Sequence, residues 1–591
     1  QLHLVMDTSA VVLRDQLRQA VEECSARGLV FAAKWAAEQL CSLSPTTLGF
    51  KLPASHASFA QESAQAALDA EEKDSVSLAK CLFDLREFDR AAYKLQKCNG
   101  PRAVFLRLYS QYLSRERRVG EAAPNSNKSA ASDTALSAEE SDRRRTAGEA
   151  DRELLAIRDE LETLDSDSSI DAFQLYLLGL VHKALGQRLR AQEALLRSVC
   201  AYEFNWSAWQ LLETCVDTVQ QPVEQLSAKV SGAGWMQHAF MAQLLVEQFG
   251  GGNNEFGVHH RVLEQLFPNS QFVLGLRAVR HYSMREFEEA RQLFVQLQHA
   301  DPYALELSDI HSNILYVMED RARLGELAHR CAALDRFRPE TCCVIGNYYS
   351  LRREHEKAVG YFQRALQLDN KYLAAWTLMG HEFIEMKNTA AAVDAYRHAV
   401  DTDARDYRAW YGLGQTYEML NMPHYACNYY MRAAALRPYD SRMWCALGSC
   451  YEASSQRTPA IESYRRALLG TAENEAVAIT RLAHLYDDAG DRPKAAYYFQ
   501  LLVEHAVKNA GALQDTAPSN SGLPLQGQGQ MDELATACLF LASYEHDRGN
   551  PSVALRYLAQ VVDGANSGGI SQQRVDEAKA MMRAVSQNES I

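Results

Sequence analysis

Between Pro339 and Asn474, apolar positions of fixed size return every 34 residues, four times in one frame. A bulky residue opens each period at Cys342, Trp376, Trp410 and Trp444. In register follow Ile345-Gly346, Met379-Gly380, Leu413-Gly414 and Leu447-Gly448, then the aromatics Tyr349, Phe383, Tyr417 and Tyr451. Twelve residues past each glycine stands an alanine (Ala358, Ala392, Ala426, Ala460). Four further on comes an aromatic (Phe362, Tyr396, Tyr430, Tyr464), and three beyond it a second alanine (Ala365, Ala399, Ala433, Ala467). Apolar residues at these intervals predict two amphipathic helices per period, helix A and helix B.

A bulky residue beside a small one gives helix A a knob next to a notch, and helix B enters the notch. Gly346, Gly380, Gly414 and Gly448 on helix A face Ala392, Ala426 and Ala460 on helix B, and Trp376, Trp410 and Trp444 fill the space around the contact. This is the tetratricopeptide signature at its diagnostic period. One such hairpin cannot bury its own apolar face, so neighbours must stack; the expected fold is an all-α superhelical solenoid of about thirteen or fourteen helical hairpins.

Outside the strong block the frame is fainter. Residues 1–113 read as N-terminal hairpins, with Ala33, Ala37 and Leu40, then Leu78-Ala79, Leu82, Ala91 and Leu95 in phase. The stretch 114–151 turns to Ser, Ala, Asn, Glu and Arg without an apolar period, which marks a disordered insert; its Arg143-Arg144-Arg145 reads as solvated linker before it reads as a nuclear signal. A middle array spans 152–338, where the unit from Leu305 to Arg338 is degenerate but keeps phase. The C-terminal array runs over 339–509, followed by a flexible loop at 510–531, a final hairpin at 532–562 and a polar, loosely held tail at 563–591.

Composition narrows the class of partner. With 591 residues, 47% hydrophobic and 23% charged, the chain is globular, and its net charge of −14 makes nucleic acid or an anionic membrane a poor first guess and basic partners a better one. The 13 cysteines lack paired spacing, which points to reduced thiols in the nucleus or cytoplasm. No apolar run is long enough to span a bilayer, and the start shows no secretory core. A chain opening at Gln1 reads as trimmed, with Met6 a candidate initiator.

Candidate chemistry is sparse. Gly412 and Gly414 lie within a repeat helix with no strand before them, so they read as packing and not as a phosphate loop. His381-Glu382 lacks the second histidine of a metalloprotease helix, adjacent Cys342-Cys343 point to different faces, and His259-His260 have no evident partner. No cofactor, metal or catalytic site is expected, and the chain does not read as an enzyme. Function then falls to the face lined by the A helices. There the frame places Asn347, His381, Glu382, Glu385, Tyr411, Gln415 and Glu418, with Ser449 and Glu452 beyond, and a basic peptide donating arginine forks to Glu or Asn fits this set. Only Asn347 matches the lysine and asparagine clamp for acidic chaperone tails, so a co-chaperone is the weaker alternative. A sugar transferase bearing such repeats would need a catalytic domain for which the chain has no room.

The runs Glu340-Thr-Cys-Cys-Val-Ile-Gly-Asn-Tyr-Tyr-Ser350, Ala375-Trp-Thr-Leu-Met-Gly-His381 and Asp406-Tyr-Arg-Ala-Trp-Tyr-Gly-Leu-Gly-Gln-Thr-Tyr417 go beyond the repeat consensus. Together with Ala391 to Ala399, they resemble subunit eight of the anaphase-promoting complex, the cell-division-cycle twenty-three type. The resemblance is dense from Arg338 to Met443, weaker at Lys34-Trp-Ala-Ala-Glu38 and Phe88-Asp-Arg-Ala-Ala92, and absent from 114–151 and the end of the chain. It implies a non-catalytic scaffold of a multi-subunit ubiquitin ligase that serves the cell cycle in nucleus and cytoplasm. It further implies a homodimer formed through N-terminal repeats, stacking on other repeat and scaffold subunits, and a C-terminal groove for the basic C-box of coactivators; the repeat frame, which sets Asn347 at the ninth position just after the packing glycine, makes that residue the leading contact.

Overall fold

The computed structural model describes residues 2–43, 72–122, 151–166, 169–216, 234–249, 254–470, 475–514, 528–565 and 571–588. Among them, helices alternate with short turns and there is no strand. None of these helices is long and apolar enough to cross a membrane. The chain divides into two compact units, Gln1–Arg352 with Gln367–Asn370, and Arg353–Leu366 with Lys371–Ile591.

The first unit opens with α1 (Leu2–Ala26) and α2 (Val30–Ser42). Later in this unit come α3 (Trp206–Cys215), α4 (Trp235–Phe249), α5 (Gln271–Ser283), α6 (Phe287–Ala300), α7 (Ser308–Val317), α8 (Arg321–Leu334) and α9 (Pro339–Leu351). The opening hairpin packs far along the sequence. Trp35 of α2 stacks on Trp206 (centroids 4.3 Å, 5°) and Trp235 (5.6 Å, 7°), while the Phe272 ring meets it edge-on. Ser270 donates to the Gln39 amide oxygen at 2.9 Å, and Lys34 pairs with Glu306. Such aromatic pairs add roughly 0.5–1.5 kcal/mol each to the area they bury.

The second unit holds the regular block: α10 (His355–Leu368), α11 (Leu373–Glu385), α12 (Thr389–Thr402), α13 (Tyr407–Met419), α14 (Pro423–Leu436), α15 (Ser441–Ala453) and α16 (Arg457–Ala467). Here the knob and notch appear as drawn from the sequence. A Cβ on Gly380 would sit 2.5 Å from the Tyr396 ring, one on Gly414 2.6 Å from Tyr430, and one on Gly448 2.6 Å from Tyr464. Tyr396 is also covered from the next hairpin, since a Cβ on Gly412 would lie 2.4 Å from it. Ala392, Ala426 and Ala460 are fully buried and Trp376 and Trp410 nearly so, whereas Trp444 is only half-buried. Gly346 is buried within α9 of the first unit.

Backbone punctuation repeats with the same period. From the fifth helix onward, six corners from helix A to helix B pass through the left-handed region at non-glycine residues, Arg285, Glu319, Arg353, Lys387, Asn421 and Ser455, with φ between 54° and 65°, while the corners at Gly28, Gly186, Gly490 and Gly549 use glycine. The residue after the corner donates back across it, as in Asn388 N–H to Phe383 O at 2.8 Å and Gln456 N–H to Tyr451 O at 2.8 Å, a Schellman closure. Between repeats, the carboxylates of Asp301, Asp335 and Asp403 accept from the N–H two residues on, each at 2.9 Å.

Three expectations about segments need correcting. The helix Pro101–Ala122 runs past residue 114: Ser114 is buried and donates to Asp89 at 2.7 Å, and Arg118 bridges Glu153 at 2.8 Å. Order therefore continues to residue 122, and the rest of the insert, 123–150 with Arg143 to Arg145, lies outside the described residues. In the supposed tail, Gln572–Asn588 is a helix that buries Val575, Ala578 and Val585. The unit boundary falls at Arg352 and not at 338, because the polar side chains of α9 tie it to the preceding repeat. The helices Arg492–Gln514 and Gln528–Asp547 bracket the expected loop, whose residues 515–527 lie outside the described set.

Candidate peptide groove

The A helices α11, α13 and α15 of the second unit present one residue per turn to a shared face, because side chains at i, i+3 and i+4 stack along a helix. At the C-terminal ends of these helices the face is acidic: Glu385 and Glu418 are exposed and Glu452 is half-buried. Glu418 is exposed yet fixed, since the Tyr430 hydroxyl donates to its carboxylate at 2.8 Å. Burial, followed by that carboxylate, drives the Tyr430 phenol well above its ordinary range and keeps it a donor. Gln415 is exposed, and Tyr411 is half-buried with its ring tilted against Tyr430 at 5.3 Å.

Three expected contacts are engaged elsewhere. Asn347 is 2% exposed, and its amide nitrogen donates to Ser312 Oγ at 2.8 Å and Asn313 Oδ1 at 2.7 Å. It is a buried tie to the preceding repeat, not an open donor, because Ser312 and Asn313 offer it acceptors one period upstream. Glu382 is buried and its carboxylate lies 2.8 Å from His355 Nδ1. His381 Nδ1 is 2.7 Å from the Tyr396 hydroxyl; burial, then the charge of Arg408, lowers the imidazole to about 4, so it accepts as a neutral ring. His381 thus orients the tyrosine that fills the Gly380 notch. His259, which had no evident partner, lies with its Nδ1 2.7 Å from Nδ1 of His238.

Sequence reasoning missed the basic end of the same face. Arg408 and Arg442 begin α13 and α15; Arg442 pairs with Asp440 at 2.6 Å, and Arg437 lies 5.0 Å above the Tyr407 ring. Burial alone would raise the Tyr407 phenol, but Arg408, Arg437 and Arg442 outweigh it and bring it below its ordinary value. Burial holds the Asp406 carboxyl up despite Arg408. The signal was present as Asp406-Tyr407-Arg408 and Asp440-Ser441-Arg442, one period apart, with each aspartate accepting from the arginine N–H at 3.1 Å. The face therefore carries arginines where α13 and α15 start and glutamates where all three helices end.

On the B-helix side, a cleft of about 600 Å³ opens between α12 and α14, floored by Trp410 and Leu413 and walled by Tyr425 and Tyr429. The Arg432 guanidinium lies 4.6 Å over the Trp410 ring, and Arg397 donates to the Tyr417 hydroxyl at 3.1 Å. Among the described residues no three His, Cys, Asp or Glu side chains form a cluster that could hold a metal ion.

Residues 12–278 match the family described as anaphase promoting complex subunit 8 / Cdc23. The segments 339–372, 373–406, 407–440 and 441–469 each match the tetratricopeptide repeat. Anaphase-promoting complex subunit 8 of Dictyostelium discoideum is 36% identical over 607 residues, covering 97% of both chains. Anaphase-promoting complex subunit CDC23 of Saccharomyces cerevisiae is 35% identical, again covering 97% of both. Subunit 8 of Arabidopsis thaliana is 37% identical over 410 residues, 64% of this chain and 66% of that one.

Proposed function

The chain belongs to the anaphase-promoting complex subunit 8/Cdc23 family, and from that premise we propose that it is a non-catalytic scaffold whose second unit receives the basic C-box segment of a coactivator. The observation that carries the reading is Glu418: a carboxylate that is exposed to a ligand but held in one orientation by Tyr430. A pre-oriented acceptor loses little entropy when it takes an arginine, and the planar fork of that side chain suits it better than a lysine would. Glu385 adds charge, Gln415 an amide for the peptide backbone, and Tyr411 a ring edge. His381 and Glu382 act behind this surface by fixing α11 against its neighbours, while Asn347 ties α9 to the preceding repeat of the first unit.

Two further parts belong to the same proposal. Self-association through the first unit is supported by the α1–α2 hairpin, which docks through discrete contacts on distant helices, an arrangement that a second copy can supply in exchange. Work in the nucleus and cytoplasm beside other subunits of the complex accords with thirteen cysteines that form no disulfide. Fluorescence anisotropy of the full chain with an arginine-bearing C-box peptide tests the groove. Glu418→Gln is expected to weaken binding roughly tenfold, because a hydrogen bond to a charged group contributes about 1.5–3 kcal/mol, and Tyr430→Phe less. Unchanged affinity in Glu418→Gln, with an unchanged melt, removes Glu418 from the site and the reading with it.

A further inference from the structure

Three periods of 34 residues upstream of the aromatic cleft, the same geometry recurs in the first unit with different chemistry. Helices α6 and α8 enclose a cleft of about 580 Å³ over α7. At the positions of Trp410, Leu413 and Gly414 stand Ser308, His311 and Ser312. The repeat has broken its own frame at three core positions at once, each time toward a polar residue. Departures of that kind are expected where a site, and not packing, sets the sequence.

Ser312 is taken up by Asn347, but the other two replacements leave a polar group without its usual complement. His311 lines the cleft, is 7% exposed and lies flat against Phe294 (5.1 Å, 9°), and among the described residues neither ring nitrogen has a hydrogen-bond partner. Arg330 stands where Arg432 stands three periods on, but with Ser308 in place of the tryptophan it has no ring to cover, and its Nε is buried and unpaired. An unpaired buried donor of this kind can take its acceptor from a ligand.

The charges facing His311 decide which acceptor. From α6 come Arg291, paired with Glu288, and His299; from α8 come Arg323, 3.5 Å from Asp320, and Glu326, with the Arg330 charge and the Cys331 thiol beside the cleft lining. With His311 neutral, three guanidinium groups balance three carboxylates. A single anion that enters with one proton on His311 preserves that balance, whereas a dianion does not.

We propose that this cleft is a second recognition site, separate from the groove, which binds an aspartate or glutamate side chain of a partner protein against His311 and Arg330. In the free protein, burial and then the charges of Arg330 and Arg291 hold His311 at about 4, so a bound carboxylate raises it and binding tightens as the pH falls.

A fluorescein-labelled oligoglutamate peptide added to the full chain tests the assignment, with the oligoglutamine counterpart and inorganic phosphate as the other arms. The expected result is saturable binding of the glutamate peptide alone, stronger at mildly acidic than at mildly alkaline pH. It should weaken roughly tenfold in Arg330→Gln and in His311→Leu. His311→Leu restores the residue type that the repeat frame calls for, so its melting temperature should not fall, and the loss of binding cannot be put down to unfolding. Glutamate binding that persists in both variants overturns the proposal. Equal binding of the glutamine peptide, or binding of phosphate without glutamate, overturns it as well.

Discussion

In the regular block of the second unit three hairpin interfaces are the same joint made again, a tyrosine ring pressed on Gly380, Gly414 or Gly448 with alanine beneath it. In the first unit no two joints are alike: three tryptophans stack at one, a leucine meets Gly179 at another, and Asn347 bonds to Ser312 and Asn313 at a third. A steric joint admits few solutions, so it repeats in the sequence. A joint made by large mixed contacts admits many, and the freed positions can take up other roles, as His311 and Arg330 show.

The contrast predicts different responses to damage. The largest effect is expected for Trp35→Ala, which removes the centre of the tryptophan stack and should cost about 3–5 kcal/mol in the first unit while leaving the second intact. Urea unfolding followed by tryptophan fluorescence should show only one transition moving. If both move together, the two units are not independent in stability.

Next is Gly414→Leu, which drives a side chain into Tyr430 and should cost about 1–3 kcal/mol or more. Its counterpart is Gly360→Ala in α10, where nothing lies within 4 Å of the added carbon. That change should stabilise by up to about 1 kcal/mol through helix propensity. Calorimetry that gives both variants the same sign would mean that glycine is not retained for close approach.

Asn347→Ala should cost about 1–3 kcal/mol, because it strips Ser312 and Asn313 of a buried partner. A melt unchanged from the parent would return Asn347 to the ligand-facing surface. The smallest effect concerns Glu213, which burial, then Glu247, holds well above the usual carboxyl range against the hydrogen bond from Gln243. A raised folded pKa means that the stabilising form is the protonated one: its contribution is full below the unfolded pKa and is lost as pH rises through the folded value. Glu213→Gln should therefore raise the melting temperature at neutral pH and leave it unchanged in acid. A gain that is the same at every pH would assign the effect to packing.

The regular block was legible because each of its residues answers a local steric demand that recurs at one spacing, as Gly380 and Tyr396 do. Asn347 was misplaced for the opposite reason. The period gave its face, but its acceptors sit in the degenerate repeat, where residue types no longer report the structure. Glu418 and Glu385 were found on the surface because they stand at the last turn of their A helices, where a carboxylate keeps its water, whereas Glu382 on the same helix as Glu385 is buried against His355. Arg408 and Arg442 were missed although Asp-x-Arg occurs twice in phase. The docking of Trp35 on Trp206 and Trp235 had no signature, since contacts some 170 to 200 residues apart leave no period.

The left-handed corners have a practical consequence. Their conformation is imposed by the backbone closure between helices and not by a glycine, so Lys387, Asn421 and Ser455 differ in every chemical respect and share one geometry, one period apart and exposed. With Cys41, Cys81 and Cys200 changed to serine, a cysteine at any two of these corners could carry a pair of spin labels. The second unit would then contain its own ruler, on which the spacing between repeats, and any change in it when a ligand enters, can be read directly as a distance in solution.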